Sequence, residues 1–280
     1  AYNITVTDAN GSTATTATVT VGYHPVTNLT TLATYATIQG AVTVATAGDV
    51  IEICNGTYNE RVTIDKSLTL QGQSEAGVIL DGTGLSGTGS GIKINSNVTS
   101  VTIQKMTIQN YTGSTPNGSA GIYANGSNDG FTADHLTVKN NVSASGIYAN
   151  GPVDGFEVTN STVSGHGPGA RGIVIWNGFK QKITISNNAV SNNNCCGIEL
   201  QDGSASGVTI SDNILLGNGD NGIGVVGLTS GAGANVISGN FLQDNGRFGI
   251  EIKNPMGTGL DNGDGSIVVE NNTVELTALY

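Results

Sequence analysis

The sequence predicts an all-β fold, a right-handed parallel β-helix solenoid of about 25-residue coils, with a short N-terminal capping helix and an N-terminal β-strand arm. Three observations predict it. Gly-Ile pairs begin at Gly91, Gly121, Gly146, Gly172, Gly197, Gly222 and Gly249, with successive spacings of 30, 25, 26, 25, 25 and 27. Each unit carries an alternating run of β-branched residues, as in Ile183-Thr184-Ile185 and Val208-Thr209-Ile210. Each then places an Asn in the same phase (Asn188, Asn213) and closes in a polar turn. A fixed period in the twenties, built from short strands and turns, marks a solenoid. Alternation of Val, Ile and Thr fits strands and not helical repeats, and the Leu framework of leucine-rich repeats is absent.

In such a coil each strand pairs with its equivalent in the next coil, roughly 4.8 Å along the axis, so residues of one phase form columns. Ile92, Ile122, Ile147, Ile173, Ile198, Ile223 and Ile250 make an inward aliphatic column. Asn188, Asn213, Asn240 and Asn272 make a turn column whose amides can satisfy the backbone of neighbouring coils. The leading Gly column is expected to permit positive φ or a tight corner.

Taken in order, residues 1–22 form a separate unit, AYNITVTDANGSTATTATVTVG, with two alternating runs around an Asp8-Ala9-Asn10-Gly11 turn signal. Alone, such a hairpin is marginal. It resembles the closing strands of the immunoglobulin-like modules of bacterial surface proteins. Three placements stand open: the end of such a module, an arm adding strands to a neighbouring subunit, or an arm packed on its own β-helix. Residues 23–34 read as a linker, and 35–280 as the β-helix. Ile38, Ala41, Val42 and Ala45 lie at helical spacing, and Ala47-Gly48-Asp49 ends that helix, which is expected to plug the N-terminal end of the solenoid. At the C-terminus, Leu276-Thr277-Ala278-Leu279-Tyr280 either closes the stack or continues into another subunit or domain.

The segment from Ala36 to Gly72 contains Gly48-Asp49-Val50-Ile51 and Gly56-Thr57-Tyr58-Asn59-Glu60. With the coils that follow to about Leu276, it resembles the pectate-lyase-like right-handed β-helix superfamily. That resemblance implies the fold and leaves function open, because the superfamily holds lyases, hydrolases, epimerases, adhesins and phage proteins. It also implies that a saccharide, where one binds, lies along one parallel sheet.

Glycine is 42 of 280 residues, only 11% are charged, and the formal net charge is −11, which argues against nucleic acid as a partner. No apolar run is long enough to span a membrane as a helix. Abundant Thr, Asn, Ser and Gly with scarce Lys suits an extracellular or cell-surface location. Sequons start at Asn3, Asn10, Asn28, Asn55, Asn97, Asn110, Asn117, Asn125, Asn141, Asn160 and Asn271, the candidate glycosylation sites. Cys54 lies in the first coil and Cys195-Cys196 about five coils on, on the order of 20 Å away and beyond disulfide reach. The adjacent pair reads as two thiols or a vicinal disulfide, and the pair alone does not make a metal site.

The strand after each Gly-Ile offers two outward columns. One is Lys93, Tyr123, Tyr148, Val174, Glu199, Gly224 and Glu251; the other is Asn95, Asn125, Asn150, Trp176, Gln201, Val226 and Lys253. Tyr123, Tyr148 and Trp176, with Asn125, Asn150, Arg171 and Glu199, form a candidate saccharide surface: flat rings for apolar C–H faces, amides and charges for hydroxyls. The same rings could instead be a ladder that stabilises the sheet. Candidate cations for chemistry are His166, Arg171, Lys180, Lys182 and Lys253, and candidate acids Glu199, Asp202 and Glu251. The paired acids of galacturonan hydrolases and the Asp-Pro-His-Glu motif of alginate epimerases are absent. Asp129 and Asp154 in one phase, and Asp261 and Asp264 in an acidic Gly loop, are candidate calcium ligands, though each set is short of the six to eight oxygens calcium takes.

The residues favour a non-enzymatic structural or adhesive surface protein, a homo-oligomer assembling into a filament or layer through its arm and by end-to-end stacking. The alternative is a polysaccharide lyase or epimerase, or a carbohydrate-binding β-helix, using the outward face.

Overall fold

The computed structural model describes residues 2–4, 17–19, 25–115, 118–229, 231–253 and 267–276. The chain winds as a right-handed parallel β-helix of about 7 turns. Each coil lays down three strands in order. In the first coil these are Val50–Ile53, Gly56–Tyr58 and Val62–Ile64, and in the second Thr69–Gly72, Val78–Asp81 and Ile92–Ile94. The third wall is an eight-stranded parallel sheet running from Val62–Ile64 to Ile250–Lys253, and it contains every Gly-Ile strand. Its register joins Ile92 to Ile122, Ile122 to Ile147, Ile147 to Ile173 and onward to Ile250, so the inward Ile column is real. From Ile92 to Ile223 these side chains are fully enclosed. At roughly 1.5–3 kcal/mol per enclosed aliphatic side chain, such columns supply the main drive for winding. A second column, Ile51, Leu70, Ile103, Ala133, Val158, Ile185, Ile210 and Ile237, lines the first wall.

The Gly column works by close approach. None of the seven glycines of the Gly-Ile pairs has a positive φ. A Cβ on Gly172 would sit 2.5 Å from the Gly197 carbonyl oxygen and 2.6 Å from a Val190 methyl. The corner where the third wall begins therefore admits no side chain. The positive-φ corners lie elsewhere, many of them at Asn or Asp, as at Asn187 (58°), Asn192 (54°) and Asp212 (56°), residue types that tolerate this conformation.

The predicted Asn column forms a buried ladder. Asn213 Oδ1 accepts from the Asn188 backbone N–H at 3.0 Å, and Asn213 Nδ2 donates to the Ile185 carbonyl at 2.9 Å. Asn240 and Asn272 repeat the pattern. Five residues later stands a parallel ladder that the sequence reading did not single out: Asn193, Asn218 and Asn245. His166 occupies the same phase one coil earlier. Its Nδ1 accepts from the Asn141 backbone N–H at 3.3 Å, and its backbone N–H donates to the Asn193 side-chain oxygen. Burial pushes its pKa down to about 4. His166 is therefore a neutral rung of this ladder and does not belong to the outward face.

At the N-terminal end, the helix spans Ile38–Val44, with Thr37 Oγ1 accepting from the Gly40 N–H. Glu60 lies at the end of the Gly56–Glu60 stretch. It reaches back from the first coil, and its two carboxylate oxygens accept from the Ile38 and Gln39 N–H groups at 2.9 Å each. Residues 23–34 are not simply a linker. Val26–Asn28 is a strand antiparallel to Val50–Ile53, with Val26 in the core. Asn28 Nδ2 donates to Asp49 at 2.6 Å, which explains the Gly48-Asp49 pair. An antiparallel strand and a helix together cover the first edge. Tyr2–Ile4 and Ala17–Val19 pair as a two-stranded antiparallel sheet.

Two outcomes follow. Gly172→Ala should lower stability by about 2 kcal/mol through overpacking, read as a lower denaturant midpoint; an unchanged midpoint would refute the close-approach role. His166 has an unfolded pKa near 6.5 and a folded one of about 4. Below pH 6.5 the unfolded chain takes up a proton that the fold refuses, so stability falls with pH until about 4. His166→Asn, which restores the amide rung, should flatten that slope.

Candidate functional site

The register places both outward columns as expected on the eight-stranded sheet. Tyr123 pairs with Tyr148, Tyr148 with Val174, and Val174 with Glu199; Asn125 pairs with Asn150, Asn150 with Trp176, and Trp176 with Gln201. The aromatic strip is not an open platform, however. Tyr123 is 8% exposed and Tyr148 3% exposed, packed with Ala120, Val174 and the edge of Trp176 in a small apolar cluster on the outer face. Their rings are 5.3 Å apart and tilted 60°. Burial, with the neighbouring Tyr123, pushes the Tyr148 hydroxyl up to about 12. For the two tyrosines the sheet-stabilising ladder is what forms, because each ring falls between same-face neighbours one coil away.

Trp176 keeps part of its ring in solvent. Its indole N–H donates to Asp202 at 2.7 Å, and the Arg171 guanidinium lies 4.5 Å from its ring centroid. Arg171 also pairs with Glu199 through Nε, both side chains being 13% exposed. Burial works against the Arg171 charge, but Glu199 outweighs it, and the net shift is upward. Lys180, the buried lysine of the next turn, donates to the Gly178 carbonyl at 3.0 Å and the Asp202 carbonyl at 2.7 Å. Burial pulls its pKa down to about 8. Its two bonds hold the turns on which Trp176 and Asp202 sit. The amides form their own chain: Asn150 donates to the Tyr123 hydroxyl and accepts from Asn177, and the Tyr123 hydroxyl donates to Asn125.

The remaining candidates disperse. Lys253 pairs with Glu251 at 2.8 Å, which also accepts from Asn221. Lys182 and Gln181 both engage the Asp154 carboxylate. Asp129 accepts from the Asp154 backbone N–H at 2.8 Å. The Asp129/Asp154 pair thus closes an inter-coil turn beside an open cleft of about 220 Å³. One carboxylate is already matched by Lys182, an arrangement that does not suit calcium. Asp261 and Asp264 lie outside the described residues. Among the described residues, the one group of three or more metal-type side chains is Cys195, Cys196 and Asp220.

Of the sequons, Asn28 and Asn141 are buried and hydrogen-bonded, so a glycan at either is incompatible with the fold. Asn55, Asn97, Asn160 and Asn271 are exposed, and Asn110 and Asn125 half-buried. Asn3, Asn10 and Asn117 lie outside the described side chains. Cys54, Cys195 and Cys196 are all free thiols.

Several solved structures resemble the chain at low identity. A pectin methylesterase from Yersinia enterocolitica matches at 13% identity and a TM-score of 0.47, covering 88% of this chain and 92% of that one. An alginate lyase of family PL6 matches at 14% identity and a TM-score of 0.48, over 85% of this chain and 38% of that one. The A-module of a mannuronan C-5 epimerase from Azotobacter vinelandii matches at 16% identity and a TM-score of 0.35, over 86% and 95%. No curated protein sequence matches the chain. The sequence pattern of the right-handed β-helix region matches residues 41–232, well over half of the chain, and the protein belongs to that right-handed β-helix family.

Proposed function

We propose that the outward face of the eight-stranded sheet binds a polysaccharide, with Trp176 as its centre. The observation that carries this reading is the partly exposed Trp176, held between the Arg171 guanidinium and Asp202 on a face with Glu199 and Gln201 one coil away. A fixed indole supplies an apolar surface for the C–H face of a pyranose. The ion pair and amides around it offer donors and acceptors for its hydroxyls. Tyr123 and Tyr148 act beneath the surface, as packing that keeps the strand row flat.

The proposal stops at binding. A lyase or epimerase would turn a cation toward a uronate carboxylate. Here Arg171 is engaged by Glu199, and Lys253 by Glu251. An extracellular or cell-surface location fits the same proposal, since that is where such polymers lie.

Self-assembly is a second reading, favoured by one observation. The last described strands leave Val269, Val274 and Leu276 exposed, apolar side chains that stacking on another copy would bury. Light scattering of the full chain tests it: Val274→Lys should lower the mass of any oligomer, and an oligomer that persists unchanged would remove that reading.

Affinity electrophoresis in gels containing pectin, alginate or a neutral glucan tests the binding proposal. At least one polymer should retard the wild-type chain. Trp176→Ala should weaken that retardation about tenfold or more, the equivalent of ~1.4 kcal/mol of lost aromatic contact. Tyr148→Phe, which keeps the packed ring, should bind as wild type. Retardation by no polymer, or by the same polymer equally in Trp176→Ala, would overturn the proposal.

A further inference from the structure

The positions two residues before each Gly-Ile pair form a column of their own: Ala170, Cys195, Asp220 and Arg247. Backbone bonds tie its members coil to coil. The Cys195 N–H donates to the Ala170 carbonyl at 2.9 Å, the Asp220 N–H to the Cys195 carbonyl at 3.2 Å, and the Arg247 N–H to the Asp220 carbonyl at 3.1 Å. Cys195 and Asp220 are therefore fixed one coil apart. Cys196 follows Cys195 into the corner and is 1% exposed. Its carbonyl accepts from the Gly172 N–H at 3.0 Å, which pins the pair's backbone on its other side.

From this arrangement we propose that Cys195, Cys196 and Asp220 form a binding site for one thiophilic divalent cation of the zinc class. The two Sγ atoms are 3.7 Å apart, and all three ligand atoms lie within 4.8 Å of one another. In a tetrahedral site with Zn–S bonds of about 2.3 Å, two sulfurs stand about 3.8 Å apart, the edge of the tetrahedron. The thiols already hold that edge. The half-buried Asp220 carboxylate already lies within 4.8 Å of both sulfurs, and it has no hydrogen-bond or ion-pair partner among the described residues. Two thiolates select zinc-like or softer ions over calcium and magnesium, and one carboxylate is compatible with them. Three protein ligands leave a fourth position for water or an external ligand.

The site stands beside Arg171 and Glu199 but does not depend on the saccharide proposal, so either can fail alone.

The test is a titration of the fully reduced chain, in a non-thiol reductant, with Cd²⁺ as probe. Binding is read as the ultraviolet thiolate-to-cadmium charge-transfer band, and then by competition of Zn²⁺ against a chromophoric chelator. The band should saturate at one equivalent and be unaffected in Cys54→Ser. Cys195→Ser and Cys196→Ser should each cut it to about half or less. Asp220→Asn should keep the band but weaken affinity more than about tenfold, at least the loss seen for an outer-shell partner. Thermal melting of each variant separates loss of a ligand from loss of the fold, and Asp220→Asn, at a half-buried position, keeps the proposal testable if a Cys variant misfolds. No band at stoichiometric Cd²⁺, or an undiminished band in the Cys195→Ser/Cys196→Ser double variant, would overturn the proposal. Unchanged affinity in Asp220→Asn would overturn the assignment of the third ligand.

Discussion

Everything in this protein depends on the parallel hydrogen bonding between successive coils. Because each third-wall strand pairs with the next in register, a residue's neighbours are set by its phase in the repeat, not by its distance along the chain. Phase converts a run of Gly-Ile pairs into an aliphatic core column and a row of Asn residues into a buried amide ladder. It also stacks the charged and aromatic side chains of the outer face. A slip of one residue in any coil would exchange core for surface along that strand. The Gly column and the Asn ladders resist that slip. The glycines admit no side chain at the corner, and each Asn satisfies backbone groups that only one register brings within reach.

That logic explains which parts of the fold were legible in the sequence. Spacing alone was enough for the Ile column, the first Asn ladder and the two outward columns, because these follow from a constant period. The second ladder, Asn193-Asn218-Asn245, carried the same 25- and 27-residue spacing and was open to the same reading, but His166 in one rung disguised it. The strand at Val26–Asn28 was hidden for a different reason. It pairs antiparallel with the first coil and so has no counterpart in the repeat. Of the two roles open to the Gly column, positive φ or a tight corner, the corner is the one that forms, and its cause is steric.

The candidate site was partly legible. Arg171, Trp176 and Glu199 do converge, since they occupy adjacent coils near one phase. For Tyr123 and Tyr148 the sequence left both a binding strip and a sheet-stabilising ladder open; the packing with Ala120 and Val174 that decides for the ladder depends on side-chain placement that the period does not specify. The Cys195–Asp220 approach lay in the phase two residues ahead of the Gly-Ile pairs. A cysteine pair considered by itself conceals the carboxylate 25 positions on.

The central claim is that the coil register builds a polymer-binding face around Trp176. The chain contains one tryptophan, so its fluorescence reports from that place alone. The most direct measurement is a fluorescence titration with oligosaccharides from pectin, alginate and neutral glucans. The account predicts a saturable change in emission with at least one of them, as a sugar ring displaces water from the indole. Emission that stays constant while a saccharide demonstrably binds the protein would place the binding elsewhere and contradict the account.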